Sequence, residues 1–196
     1  MFNKPKGCIT AVRDPRHKTV MDYIEFDLQR KIFPVGRLDR DTEGFLLLTD
    51  DGKLAYSLMR PENSVSKTYF LYAKGVLTPE LKDKLERGVY LLDKKNTFTA
   101  PAKAVLLEAF TLKQIEEYLE GKDKKLTNKY KDEPAFSMTL TITEGKKHQV
   151  KRMLGAIGCK VLYLKRLSIG NVTLDKDLAP GEYRPLEEDE ICALYS

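Results

Sequence analysis

Apolar positions along this chain recur at two spacings, about every second residue and about every third to fourth, and the alternation between the two predicts strands mixed with short helices. Residues 45–49, Phe-Leu-Leu-Leu-Thr, form the short continuous apolar run of a buried strand. Val20, Ile24 and Leu28 recur at helical spacing and predict a helix over 19–28. Asp50-Asp51-Gly52 supplies a turn and cap for a helix carrying Leu54, Leu58 and Met59, which Pro61 closes. Residues 68–76 alternate as a strand. Thr78-Pro79-Glu80 then reads as an N-cap, a first-turn proline and an acid near the helix dipole, with the helix ending near Gly88. Strands are predicted over 103–107 and 137–143, the second with Met138, Leu140 and Ile142 alternating. A helix over 147–157 presents Val150, Met153, Leu154 and Ile157 on one face, and Gly158 terminates it. The remainder of the chain reads as strand and turn, ending in an apolar stretch at 191–195. This order lacks a regular βαβ repeat, so the fold class expected is α+β. Residues 121–134, dense in lysine and poor in apolar side chains, read as a solvated loop.

The 196 residues suit one domain, or one with two lobes, with a formal charge of +5 and 32% charged side chains. That balance permits binding to RNA without requiring it. Cys8, Cys159 and Cys192 are far apart and odd in number, which indicates neither a disulfide framework nor a zinc site. His17 and His148 are too few and too scattered for a histidine-rich metal site. With no long apolar run and no signal-peptide pattern, the expectation is a cytoplasmic protein that spans no membrane. A monomer is the default expectation.

The densest chemical information lies in residues 35–49, Val-Gly-Arg-Leu-Asp-Arg-Asp-Thr-Glu-Gly-Phe-Leu-Leu-Leu-Thr. Asp39 sits between Arg37 and Arg40, just ahead of the apolar strand. A carboxylate flanked by cations favours its ionised form, the form that acts as nucleophile or general base. The same pattern alone also fits a solvated turn whose charges pair among themselves. Asp41 and Glu43 raise the further idea of a glycosidase carboxylate pair. Neighbouring residues on a strand point to opposite faces, however, and no tryptophan is present to stack on a sugar ring.

The segment from Gly36 to Thr49 resembles the signature loop of the pseudouridine synthases, most closely the branch that modifies small-subunit ribosomal RNA, with Phe45 where leucine is usual. Further similar blocks occur in the family's order. They are Asn3-Lys4-Pro5-Lys6-Gly7, Ser66-Lys67-Thr68-Tyr69, the run from Glu144 to Met153, Tyr163-Leu164-Lys165-Arg166, and the run from Leu178 to Leu186. The resemblance implies a mixed, largely antiparallel sheet with flanking helices and a central cleft. It implies one catalytic domain over 1–196, without the S4-like RNA-binding domain that precedes it in most close relatives. It also implies a reaction that breaks the glycosidic C–N bond of a uridine, turns the base and joins C5 to the same ribose carbon. No electrons are exchanged and no atoms lost, so no cofactor and no metal is expected.

Carried over residue by residue, the resemblance makes Asp39 the catalytic group. Tyr69 becomes the side chain that stacks on the base and Lys151 the basic partner of the aspartate, while Arg37 lies near the extruded nucleotide. Stacking of this kind contributes about 1–3 kcal/mol per base. Between Gly145 and Gly170 the chain has seven Lys and Arg and no Asp or Glu. Lys147, Arg152, Lys165 and Arg166 are therefore expected to contact RNA backbone, with Arg40 beside the aspartate. Lys4, Lys6, Arg13, Arg16, His17 and Lys18 form a second basic cluster that would flank the same cleft. The partner expected from the resemblance is ribosomal RNA, 16S favoured over 23S, naked or within an assembly intermediate. A non-catalytic RNA-binding module is the alternative of another class.

Overall fold

The computed structural model describes residues 1–25, 27, 31–91, 95–119, 124–125 and 129–195. Its eight described strands pair in a mixed, largely antiparallel pattern, an α+β fold. The chain divides into two compact units, 1–67 with 165–196, and 68–164.

The first unit is built around the apolar run that contains Phe45. Strand β3 (Glu43–Thr49) is paired antiparallel with β1 (Phe2–Lys4) and with β2 (Phe33–Val35). It also meets β7 (Lys160–Ile169) in a short parallel ladder, Glu43 opposite Lys165 and Gly44 opposite Arg166. Paired in this way, β3 buries Phe45, Leu46 and Leu47 in succession, which explains why its sequence is continuously apolar rather than alternating. Gly170-Asn171 turns β7 back into β8 (Val172–Thr173), with Gly170 at φ +55°, a backbone value that two-residue hairpin turns favour. Helix α1 (Gly52–Met59) starts as its sequence predicts: Asp51 accepts from the backbone N–H of Lys53 at 2.7 Å and of Leu54 at 3.0 Å. It stops at Arg60, which Pro61 holds in an extended conformation. Leu54 and Leu58 pack with Val35, Phe45, Leu47, Ile169 and Leu174 in this unit's core.

In the second unit, β4 (Lys67–Lys74), β6 (Pro134–Ile142) and β5 (Lys103–Thr111) follow in that spatial order. The β5–β6 ladder runs from Lys103 opposite Thr141 to Thr111 opposite Pro134, with a bulge between Leu106 and Glu108. Helix α2 (Pro79–Arg87) is capped by Thr78, whose hydroxyl accepts from Leu81 N–H at 3.3 Å. Helix α3 (Gln149–Ala156) buries Val150, Met153 and Leu154 against Leu71, Leu85, Met138 and Leu140.

Two elements differ from the sequence expectation. Of the helix expected over 19–28, the described start is one 3-10 turn, Val20–Tyr23, after which Ile24 is extended. The N–H of Val20 donates to Ile9 O at 3.0 Å, and Ile9 forms a bridge with Thr19, so tertiary pairing overrides the helical spacing. Leu28 lies outside the described residues. The C-terminal apolar stretch belongs not to a strand but to helix α4 (Glu188–Tyr195). Three acids in its first turn complement the helix dipole. Arg184 grips Glu190 through both terminal nitrogens, at 2.8 and 2.9 Å, and holds that carboxyl below its ordinary range. Of the predicted loop 121–134, residues 121–123 and 126–128 lie outside the described set, and Pro134 already opens β6. Among the described residues, no helix is long and apolar enough to cross a membrane.

Candidate active site

Asp39 occupies the first position of a tight turn that delivers the chain into β3. Its carbonyl accepts from Thr42 N–H at 3.1 Å, which closes the turn over Arg40 and Asp41. Aspartate is favoured at this position, and its side chain is half-buried while Arg37, Arg40 and Asp41 are exposed. Gly36, at φ +68°, lets the backbone turn out of β2 toward this segment.

The turn is fastened to the chain that follows β1. Gly7 N–H donates to Arg40 O at 2.8 Å, and Arg40 Nε donates back to Gly7 O at 3.0 Å. Beneath it lies Lys4, whose side chain is fully buried at 0% exposure. Lys4 Nζ donates to Pro5 O at 3.0 Å, Thr42 O at 2.9 Å and, more weakly, Arg40 O at 3.5 Å. Burial pushes the Lys4 ammonium below its ordinary range, and Cys8, Asp41, Glu43 and Asp39 pull the other way. Lys6 pairs with Glu43 at 3.8 Å, at the start of β3. The carboxylate thus projects from a backbone held by cation-to-carbonyl bonds. Lys4→Met is expected to leave those carbonyls short of a donor and to cost about 1–3 kcal/mol. A thermal melt checks this; an unchanged midpoint would show that Lys4 does not hold the turn.

Lys4 therefore leaves the predicted RNA-facing cluster. Its position at the end of a buried strand, Phe2-Asn3-Lys4, was the signal for an interior role. Arg166 is a correction of the same kind. Its side chain is 4% exposed and Nε donates to Phe45 O at 2.7 Å, so it ties β7 to β3 rather than joining an exposed basic face. Lys165, next to it, is half-exposed.

The second unit carries Tyr69, Lys147, Lys151 and Arg152. Tyr69 is half-buried on β4 and packs against that unit's core. Lys151 and Arg152 lie on the first turn of α3, half-buried, and Lys147 is exposed just before it. The start of α3 is held by a polar network that motif spacing does not reveal. Gln149 is buried; its amide nitrogen donates to Glu144 Oε1 at 2.5 Å, and its oxygen accepts from Lys146 N–H at 2.8 Å. Glu144 also accepts from Ala100 N–H at 3.1 Å and pairs with Lys146 Nζ. His148, at φ +52°, turns the chain into the helix, and Arg152 donates to Lys147 O at 3.2 Å. Glu144 and Gln149 thus fix the start of the helix that carries Lys151.

Comparison with known proteins decides what this arrangement belongs to. Residues 1–156 match the RNA pseudouridylate synthase family. The chain belongs to that family. It is 45% identical over 192 residues to an uncharacterized RNA pseudouridine synthase of Bacillus subtilis, YtzG, covering 97% of this chain and 70% of that one. Ribosomal small subunit pseudouridine synthase A of Escherichia coli is 37% identical over 194 residues, covering 99% of this chain and 72% of its relative. A crystal structure of a pseudouridylate synthase superposes with a TM-score of 0.80 at 34% identity, over 98% of this chain and 71% of that one. This pseudouridine synthase is therefore an isomerase of RNA, and its fold is the pseudouridine synthase fold.

Proposed function

We propose that this enzyme converts a specific uridine of small-subunit (16S) ribosomal RNA to pseudouridine, with Asp39 as the nucleophile or base. The substrate assignment rests on the 37% identity to the Escherichia coli small-subunit enzyme over 99% of this chain. The placement of a half-buried carboxylate on a turn fixed at both ends supports the role of Asp39. Such a group starts the reaction at the sugar or the base, and the C5 proton leaves after the base has turned. Tyr69 stacks on the base while it is detached. Lys151 takes the place of the family's basic residue, and Arg37 sits by the extruded nucleotide. Arg40, Lys147, Arg152 and Lys165 contact the RNA backbone. Extruding a stacked uridine costs a few kcal/mol, which these backbone contacts offset.

The test is to incubate the protein with unmodified 16S and 23S RNA and map pseudouridine by carbodiimide-dependent primer extension. One new stop in 16S is expected. A stop confined to 23S would overturn the substrate. A stop that appears only with a partly assembled 30S particle would identify the assembly intermediate as the form recognised.

A further inference from the structure

We propose that Thr10, which lies between the blocks 3–7 and 36–49, is the positioning residue of Asp39; this rests on the catalytic role given to Asp39 above. Thr10 is buried, 8% exposed. Its hydroxyl donates to Leu38 O at 2.9 Å and accepts from Leu38 N–H at 3.1 Å. A hydroxyl has one proton and two lone pairs, so it satisfies both bonds at once.

The geometry gives these two bonds a particular consequence. The carbonyl of Leu38 belongs to the peptide plane shared with Asp39, and the N–H of Leu38 to the plane shared with Arg37. With both planes held, the only soft dihedrals between them, φ and ψ of Leu38, are fixed. The Leu38 side chain is itself buried, which leaves the residue no freedom to swing. Residues 36–42 lie outside any strand, so no ladder supplies these bonds. Downstream, the Thr42-to-Asp39 bond and Lys4 hold the other end of the turn. Asp39 is thus held on both sides, and Thr10 is the upstream support.

Thr10 is anchored in its turn. Ile9 N–H donates to Lys18 O at 2.9 Å, and Ile9 O accepts from Val20 N–H at 3.0 Å. These bonds close the loop of residues 10–18 at its base, so the hydroxyl is presented from a fixed stem. Thr10 reaches the turn through Leu38, the residue before Asp39. Its removal should affect where the carboxylate sits rather than how strongly RNA binds.

The experiment compares Thr10→Val, which keeps the branched shape, with Thr10→Ser, which keeps the hydroxyl. Turnover is followed by tritium release from RNA labelled at uridine C5, and the Leu38 amide by hydrogen exchange. Thr10→Val is expected to lower kcat by about 10–100-fold, the effect of a misplacement on the order of 1 Å. KM should stay within about threefold of the parent, and Leu38 exchange should accelerate by at least about tenfold. Thr10→Ser should restore both readouts to within about threefold of the parent. The proposal is overturned if Thr10→Val exposes the Leu38 amide yet keeps full kcat, or if Thr10→Ser is as damaged as Thr10→Val. It is also overturned if the loss of kcat merely follows the fraction of unfolded protein. Asp39→Asn in the same assay separates the two layers. If that variant is inactive while Thr10→Val is fully active, only the role of Thr10 fails; if it is active, the role of Asp39 fails.

Discussion

Replacing Asp39 by asparagine is expected to lower kcat by at least about 10³-fold, the range over which a positioned acid, base or nucleophile contributes. Asparagine has nearly the same shape, and main-chain oxygens of Leu38, Asp39, Arg40 and Thr42 each accept a bond that holds the turn. The turn should therefore survive the exchange. RNA affinity should stay within a few-fold, because the backbone contacts assigned to Arg40, Lys147, Arg152 and Lys165 are untouched. Steady-state kinetics and a filter-binding isotherm on the same RNA check the two halves. A matching loss of affinity would mean that Asp39 serves binding rather than chemistry.

The second large effect is predicted at Gly44→Ala. Gly44 has φ +100°, a region that side-chain-bearing residues rarely enter. A Cβ there would fall 2.2 Å from the backbone oxygen of Arg166 and 2.8 Å from its nitrogen. Both obstacles are main chain in the parallel ladder between β3 and β7, so no rotamer change relieves them. Backbone strain of about 1–3 kcal/mol adds to a similar overpacking cost. Together these should lower the melting midpoint by roughly 6–12 °C for a loss of about 3 kcal/mol. Activity should fall further than stability, because the strand displaced is the one that begins at the end of the Asp39 turn. Gly52→Ala is the control, since nothing lies within 4 Å of a Cβ at that position and its helix favours alanine. Equal midpoints for the two variants would remove the close approach at Gly44 as a structural requirement.

Much of the fold was legible in the chain itself. The run after Asp39 is continuously apolar because β3 buries successive residues, and the Asp51 and Thr78 caps, by local hydrogen bonding, and Pro61, by holding Arg60 extended, mark helix ends without tertiary information. The pattern around Asp39 identified the turn and the family. Lys4 and Arg166 were harder. A cation is normally a surface residue, and its charge gives no sign that a set of backbone carbonyls awaits it in the interior. The 19–28 segment has helical spacing, but at its start Thr19 and Val20 pair with Ile9, a partner that spacing alone does not reveal. Helix α4 was missed because its apolar stretch is short and its start is marked by an acidic first turn and by the Arg184–Glu190 pair, which spacing alone does not reveal. Thr10 gave no signal at all, since a single hydroxyl acquires a role only when the fold brings Leu38 to it.

The measurement that tests the central claim most directly is a single-turnover experiment with enzyme in saturating excess over 16S RNA, parent and Asp39→Asn side by side, counting pseudouridines per strand over time. Saturation removes differences in affinity, so what remains is the chemical step. The parent should convert one uridine per strand to completion, and the variant should convert none over the same period. A variant that reaches the parent's end point at a comparable rate would contradict the assignment of Asp39.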